Sequence, residues 1–249
     1  KFERFLRRAR ELECEQMATG HYARIERAGG RFLLKKAVDL NKDQSYVLYS
    51  MTQEQLSRTL LPLGGLTKHE AREIAMAQGF VNAEKPDSQD ICFVPDGDYA
   101  AFLERTRGKK YPAGDFLNET GEKIGTHAGA VRYTIGQRKG LHLALGYPAY
   151  VCAKDVEKNT VTVASEERLF SREATVGNVN WIAMDALDAP LRAKVKVRYR
   201  QSEQSAELIP EGEDRVKVIF DSPQRAITPG QAAVFYDEET VLGGGVIEG

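Results

Sequence analysis

The segment Lys194-Val-Lys-Val-Arg-Tyr-Arg200 alternates basic residues with apolar or aromatic ones. Successive side chains of a β-strand point to opposite faces, so this alternation predicts a strand with one basic and one buried face. Arg192 extends the basic face to five cations, with no acidic residue between them. Since a solvated face usually mixes both charges, this face is either an unusual solvated face or a phosphate contact.

Further β-type runs surround this segment in the second half of the chain. From about Gly108, glycine and proline become frequent, and short β-rich runs follow one another at intervals of about 8–12 residues, which is typical of a small sandwich or barrel. The clearest runs are Ala149–Lys154, Thr160–Ala164, Arg215–Phe220, Ala232–Tyr236 and Val241–Ile247.

The first part of the chain has a mixed pattern. Met17-Ala-Thr-Gly20 predicts a buried strand that ends in a glycine turn, and His21–Ile25 with Arg31–Ala37 predicts a hairpin. Capping boxes at Thr52 and Thr67 predict the starts of two helices. An α/β segment therefore precedes the β-rich part.

The composition is that of a soluble globular protein. The chain has 249 residues, of which 42% are hydrophobic and 29% charged, and its net charge is −1. No run approaches the ~18–20 apolar residues of a membrane span, and no secretory signal is visible. We expect a cytoplasmic protein with no membrane partner, and a mitochondrial location stays open. A local excess of eight basic over three acidic residues at 105–140 is a second candidate for phosphate contact.

Three cysteines are too few for a disulfide scaffold, and the scattered histidines predict no structural zinc site. Cys92 lies in the polar, proline-bounded loop Lys85–Pro95. It is either a reactive thiol, because a loop gives access to the thiolate, or a small buried residue between apolar neighbours. Cys14, in a predicted helix, and Cys152, in a predicted strand, are expected to be packing residues.

Two polar segments are further candidates for a binding site. Gly20 and His21 follow the first predicted strand, where a glycine either forms a tight turn or lets the backbone approach a ligand. Asn41-Lys-Asp-Gln-Ser45 precedes a helical run. It is either a nucleotide contact or a helix cap, with Asn41 or Asp43 as the cap residue.

Taken together, these segments resemble one family, the bacterial and mitochondrial tRNA-specific 2-thiouridylases. No single segment is convincing, but the set in this order is specific and extends from about residue 18 to 236. The matching stretches are Ala18–Arg24, Asp39–Tyr46, Lys85–Pro95, Tyr133–Leu141, Val197–Gln201 and Thr228–Gln231.

The resemblance implies a reaction in which sulfur replaces the C2 oxygen of the wobble uridine in tRNA. ATP, with Mg²⁺, adenylates that oxygen, and a cysteine persulfide supplies the sulfur. The implied partners are tRNA and a sulfur-relay protein fed by a cysteine desulfurase. By resemblance Cys92 carries the persulfide. A second cysteine either forms a disulfide with it, which releases sulfide, or assists direct attack.

The resemblance also assigns binding residues. It places Gly20 at an ATP contact, and it implies no metal ligands in the protein. The residues that it places at tRNA contacts are His21, Lys42, Asp43, Gln44, Arg198, Tyr199 and Gln231.

The implied fold is a multidomain α+β chain. Residues 1–95 would be the C-terminal part of an α/β pyrophosphatase-loop (adenine nucleotide alpha hydrolase-like) domain. Residues 96–168 would form a central, mostly-β, tRNA-binding domain, and residues 169–249 a C-terminal β-barrel. The chain departs from the family because it has no glycine- and serine-rich pyrophosphate loop, and the first catalytic cysteine would precede Lys1. We therefore expect it to be catalytically incomplete by itself.

Two other functions compete with this interpretation. The chain could be a non-catalytic RNA-binding module, or an adenylating enzyme with a small-molecule acceptor. An exposed, reactive Cys92 would favour the enzyme, whereas a buried thiol would favour the module. The two basic clusters argue against a small acceptor, which does not require them.

Overall fold

A computed structural model describes residues 2–84, 94 and 98–249. The chain divides into two compact units. Unit 1 comprises residues 1–85, 172–222 and 228–249, and unit 2 comprises residues 86–171 and 223–227. Cys92 lies outside the described residues.

The start of unit 1 consists of short helices, one two-stranded sheet and a hairpin. Thr52 and Thr67 form the capping boxes predicted from the sequence, because each hydroxyl accepts the backbone N–H three residues on and receives a reciprocal side-chain contact. β1 (Met17–Ala18) and β4 (Thr59–Leu60) pair in parallel, and β2 (Ala23–Ala28) and β3 (Arg31–Lys36) form the predicted hairpin. The helices are α1 (Phe2–Glu11), α2 (Ser45–Leu48), α3 (Gln53–Ser57) and α4 (Lys68–Ala77).

The described part of unit 2 contains one α-helix and a four-stranded sheet in the order β6-β5-β8-β7. Phe116 is fully buried at the centre of its core, with Val151, Val161 and Val163 around it. The elements are α5 (Tyr99–Arg107), β5 (Gly114–Leu117), β6 (Lys123–His127), β7 (Tyr150–Asp155) and β8 (Thr160–Ala164).

A closed six-stranded barrel forms the second part of unit 1, as the β-rich pattern predicted. Its strand order is β13-β10-β11-β12-β9-β14, and pairing of β13 with β14 closes it. The hairpin β2–β3 joins the same sheet because Val241 of β14 pairs with Leu34 of β3. The strands are β9 (Phe170–Trp181), β10 (Leu191–Lys196), β11 (Gln204–Pro210), β12 (Val216–Arg225), β13 (Ala232–Asp237) and β14 (Thr240–Ile247).

Glycines let β14 close the barrel. A Cβ at Gly243 would lie 2.5 Å from the Asn180 carbonyl oxygen, and one at Gly244 would lie 2.7 Å from the Ala233 oxygen. Neither neighbour can yield, because both atoms belong to the backbone. A register shift between Gly244 and Val246 bends the strand at the same place, as barrel closure requires.

The strand predicted over residues 194–200 is wrong in its second half. β10 ends at Lys196. Arg198 begins a turn, in which the Arg198 carbonyl accepts the Gln201 N–H at 3.2 Å. The strand ends there because its register with β13 stops at Lys196 and its register with β11 stops at Val195. The five cations therefore do not share one strand face.

Two of the cationic side chains that remain on β10 form hydrogen bonds with side chains of neighbouring strands. Arg192 makes two hydrogen bonds to the Asp221 carboxylate, at 2.9 and 2.5 Å, and Lys194 Nζ donates to Ser205 Oγ at 2.8 Å. The solvated-face interpretation therefore applies to this part of the strand, and the phosphate-contact hypothesis is confined to the end of β10 and the following turn.

His127 predicts an acid sensitivity of unit 2. The side chain is 2% exposed, its Nδ1 accepts the Gly129 N–H at 3.0 Å, and its ring lies 5.3 Å from that of Phe116. Burial lowers the pKa of His127 below its ordinary value of 6.5, although Asp115 opposes this. The folded state thus binds the proton less tightly than the unfolded state. Stability is fully present above pH 6.5 and is lost as the pH falls toward the lowered pKa.

Urea unfolding of the parent and of His127→Asn between pH 5 and 8 checks this prediction. Asparagine keeps an acceptor for the Gly129 N–H but does not titrate. We expect the parent to lose stability below about pH 6.5, and the variant to lose distinctly less. Equal pH dependence in the two proteins would contradict the assignment.

Candidate nucleic-acid interface

The polar segment 41–45 forms a loop that is built by the Asp43 carboxylate. This group accepts hydrogen bonds from the Ala37 N–H at 3.0 Å, the Ser45 N–H at 3.2 Å and the Ser45 hydroxyl at 2.7 Å. α2 begins at Ser45 and its N-cap is Gln44, so neither of the predicted cap residues caps it. Both Asp43 oxygens are occupied within the loop, whereas the neighbouring Lys42 is half-exposed.

Gln44 joins this loop to the segment after β1. Its side-chain oxygen accepts the Tyr22 N–H at 2.9 Å, and its own N–H donates to the Tyr22 carbonyl at 2.8 Å. The preceding residue, His21, lies with its Nδ1 2.8 Å from Thr19 Oγ1 and its ring 5.6 Å from that of Phe2. The loop and His21 are therefore held in one local structure.

The turn after β10 contacts the same loop. The Tyr199 hydroxyl donates to the Asp43 carbonyl at 3.2 Å. Arg198 donates from Nη2 to Thr228 Oγ1 at 3.3 Å, and the Thr228 carbonyl accepts the Gln231 N–H at 3.2 Å. These bonds connect the turn to both the loop and the segment before β13.

The seven residues assigned to tRNA contact thus lie along one chain of contacts within unit 1. We call them the linked surface: His21, Lys42, Asp43, Gln44, Arg198, Tyr199 and Gln231. They come from four separate stretches of sequence, and each stretch is joined to the next by a hydrogen bond. Gly20, assigned to ATP, immediately precedes this surface and is exposed.

The sequence motifs assigned no role to Tyr46, whose ring packs beside that of Tyr199 in the linked surface. Tyr46 donates to the Ala232 carbonyl at 2.8 Å, and its ring lies 5.9 Å from that of Tyr199 and 5.9 Å from Lys196 Nζ. Burial raises the pKa of Tyr46 to about 12, so it stays neutral and donates. The tyrosine after Ser45 was visible in the quoted motif, but only the folded chain shows its aromatic partner.

The backbone conformation at position 20 does not require a glycine. A Cβ there would lie 3.6 Å from Leu63 Cδ1, which is an ordinary contact, and no positive φ occurs. The tight-turn interpretation therefore does not explain this glycine. Its exposed backbone at the end of β1 fits the approach of a phosphate group.

The prediction that Cys14 packs inside a helix is wrong. α1 ends at Glu11, Glu13 adopts a positive φ, and Cys14 is exposed. Cys152 lies half-buried on β7, and burial raises the pKa of its thiol. Both are free thiols.

No cluster of three or more His, Cys, Asp or Glu side chains suited to a metal ion occurs among residues 2–84, 94 and 98–249. In the same described ranges, no helix has the length and apolar character that crossing a membrane requires.

Comparison with known proteins identifies the chain's relatives. Three family models match in succession: the tRNA methyl transferase HUP domain over residues 1–96, the tRNA methyl transferase PRC-barrel domain over 100–165, and the aminomethyltransferase beta-barrel domain over 171–247. These matches confirm the expected α+β architecture with a final barrel.

Individual relatives carry a more specific name. The tRNA-specific 2-thiouridylase MnmA of Symbiobacterium thermophilum is 51% identical over the whole chain, which spans 64% of that relative's length. The proteins of the same name from Halothermothrix orenii and Clostridioides difficile are 47% and 46% identical over the whole chain, which covers 70% and 69% of them. The chain therefore belongs to the tRNA-specific 2-thiouridylase family.

Proposed function

We propose that this chain serves in the ATP-dependent 2-thiolation of the wobble uridine of tRNA, and that its linked surface binds the tRNA. The observation that carries the proposal is the bond from Tyr199 to the Asp43 carbonyl. It joins two stretches that the resemblance assigns to tRNA and that lie far apart in sequence. A binding surface must bring such residues together, whereas unrelated polar turns need not meet.

The residues of the linked surface suit different parts of an RNA. Lys42 and Arg198 supply positive charge for phosphate groups. Tyr199, with 41% of its surface exposed, offers a face on which an unpaired base can stack. His21 and Gln231 offer hydrogen bonds to base edges or ribose. Asp43 acts by shaping the loop, because its carboxylate is already occupied.

The chemistry follows from the family's reaction. ATP, with Mg²⁺, converts the C2 oxygen into a leaving group, and we assign Gly20 to the nucleotide. Cys92 carries the persulfide loaded by a sulfur-relay protein. When sulfide is the attacking species, a second cysteine thiolate first attacks the Cys92 sulfur, so that a disulfide forms and the terminal sulfur leaves as hydrosulfide, which bonds to C2 as AMP departs. When the persulfide attacks directly, its terminal sulfur bonds to C2 as AMP departs, and the second cysteine then breaks the sulfur–sulfur bond by forming the same disulfide with Cys92.

The same proposal holds that this chain alone transfers no sulfur to tRNA. Its sequence contains no glycine- and serine-rich pyrophosphate loop with which to hold the nucleotide. A turnover assay with ATP, a sulfur donor and unmodified tRNA is expected to yield no 2-thiouridine, whereas tRNA binding is retained. Formation of product would contradict the first statement, and absence of binding would contradict the second.

Thiol reactivity separates an enzyme from a purely RNA-binding module. Iodoacetamide labelling near pH 7.5, followed by mass spectrometry, compares the three cysteines in one sample. Cys14 serves as the exposed standard and Cys152 as the half-buried one. We expect Cys92 to react at least as fast as Cys14 and about tenfold faster than Cys152. Labelling of Cys92 more slowly than Cys152 would favour the non-catalytic module.

A further inference from the structure

An ion pair joins two parts of unit 1 that lie far apart in sequence. Lys36, the last residue of β3, places its Nζ 2.6 Å from a carboxylate oxygen of Glu203, which directly precedes β11. The two side chains are only 14% and 24% exposed, whereas both partners of the Arg192–Asp221 pair are at least half exposed. Removing one partner of a pair that is this far buried leaves the other charge poorly compensated.

The ammonium group of Lys36 is enclosed by protein groups. Its Nζ also donates to the Glu238 carbonyl at 2.6 Å and lies 4.8 Å from the centre of the Tyr236 ring. An ammonium group has three N–H donors, of which two are used here, and an aromatic face covers a further side. Lys36 therefore has little capacity left for a phosphate group, although it carries the right charge.

The contacts of this ion pair continue to the loop 41–45 and return to the turn after β10. The Tyr236 hydroxyl lies 3.3 Å from Ser45 Oγ, and Ser45 donates to the Asp43 carboxylate at 2.7 Å. The Asp43 carbonyl accepts the Tyr199 hydroxyl, and Tyr199 is four residues before Glu203 in the chain. The turn between β10 and β11 is therefore held at two points, by its tyrosine and by its glutamate.

We propose that Lys36 and Glu203 are positioning residues for tRNA binding, because their ion pair holds the turn so that Arg198 and Tyr199 meet the RNA without rearrangement. This inference rests on the proposed function, to which it adds two residues that touch no RNA. A turn that is free to move adopts the binding arrangement only part of the time, and the apparent affinity falls by that fraction. Net charge predicts the opposite for Glu203, since removing an acid strengthens attraction to a polyanion.

Binding of an unmodified tRNA transcript to the whole chain, at roughly 50–200 mM salt, tests this role with two opposite changes of charge. Glu203→Gln removes a negative charge and Lys36→Met a positive one. We expect each to bind at least about fivefold more weakly than the parent at about 100 mM salt. We expect both salt slopes to stay within about 0.3 of the parent's, because no phosphate contact is lost. The double variant is expected to bind no more weakly than the weaker single variant.

The matched control is Glu239→Gln, which removes an acid of the same hairpin-to-barrel contact. Glu239 pairs with Arg24 and Lys35 and is about half exposed. Because it makes no contact with the turn after β10 in the structure described, we expect the control to bind as tightly as the parent or up to about twofold more tightly.

Two further measurements separate positioning from a loss of folding. Lys36→Arg keeps a cation beside Glu203, and we expect it to bind within about twofold of the parent. In the RNA-free chain, Glu203→Gln is expected to shift the amide NMR resonances of Arg198 and Tyr199 and to leave that of Arg192, near the start of β10, in place. Unshifted resonances in the turn, or a loss of binding by Lys36→Arg as large as that of Lys36→Met, would overturn the inference.

The binding series also separates this inference from the proposed function. If Glu203→Gln binds as tightly as the parent or more tightly, only the inference fails. If Lys36→Met alone weakens binding and its salt slope becomes shallower by about 0.9, Lys36 contacts phosphate and the inference is overturned. If the parent itself does not bind the transcript, the proposed function fails with it.

Discussion

Asp43→Ala is expected to destabilise unit 1 by about 2–4 kcal/mol and to abolish measurable tRNA binding. The change removes the acceptor of three hydrogen bonds, two from backbone N–H groups and one from the Ser45 hydroxyl. Ser45 is fully buried and Ala37 is 2% exposed, so water cannot replace the lost acceptor. Each unsatisfied buried group costs about 1–3 kcal/mol. At ~2–4 °C per kcal/mol, the thermal midpoint falls by about 4–16 °C.

Two companion variants separate loop shape from direct contact. Asp43→Asn keeps one acceptor oxygen, and we expect it to lose about half as much stability. Lys42→Ala is expected to weaken tRNA binding without moving the midpoint, because a half-exposed lysine contributes charge rather than packing. Trp181, the single tryptophan, lies in unit 1 and reports its unfolding by fluorescence. Retention of both the midpoint and binding by Asp43→Ala would contradict the role given to its carboxylate.

Phe116→Ala is expected to destabilise unit 2 by about 3–5 kcal/mol. Phe116 is fully buried, and its ring packs edge-on against those of His127 and Tyr133, at 5.3 and 5.2 Å. Its strand β5 is also the one that joins β6 to β8. The substitution therefore leaves a cavity at the centre of the core of unit 2. We expect the thermal midpoint of unit 2 to fall by more than about 10 °C.

The measurement combines two probes of the same protein. Far-UV circular dichroism follows all the strands, whereas Trp181 fluorescence follows unit 1 alone. We expect the dichroism midpoint of Phe116→Ala to fall well below its fluorescence midpoint. Phe116→Leu is expected to lower the free energy of unfolding of unit 2 by less than about 1.5 kcal/mol. Transitions that move together by the full amount would show that the two units unfold as one.

Local features of the fold were readable from the sequence. The capping boxes at Thr52 and Thr67 depend on residues three apart, so they form as predicted. Gly79, which follows the C-cap Gln78 of the second of these helices, has the positive φ that such a stop uses. The alternation around Val195 and Val197 correctly placed both side chains in the core. Each of these signals is local.

Features set by distant partners were not readable. The end of β10 depends on how far β11 and β13 extend, which its own alternation does not encode. The pairing of β3 with β14, which joins the first hairpin to the barrel, leaves no mark in either strand. Cys14 was misplaced because periodicity continues past Glu11, where the helix ends.

The candidate site shows the same contrast between local signals, which the sequence reveals, and contacts between distant residues, which it does not. The motifs located its stretches, but the bonds that link them, such as Tyr199 to Asp43 and Arg198 to Thr228, are tertiary. The inward direction of the Asp43 carboxylate could not be predicted either. An acid in a polar loop is equally compatible with a ligand contact and with a structural role, and only its three donors decide between them.

The central claim is that the linked surface binds tRNA, and a salt series on an unmodified transcript tests it most directly. The variant carries Lys42→Ala and Arg198→Ala, and the control carries Arg192→Ala and Arg215→Ala, whose cations are already paired with Asp221 and Glu248. We predict steep salt dependence for the parent, a slope shallower by about 1.8 with at least tenfold weaker binding for the variant, and parent-like binding for the control. Weak parent binding that ignores salt, or equal binding by variant and parent, would contradict the claim.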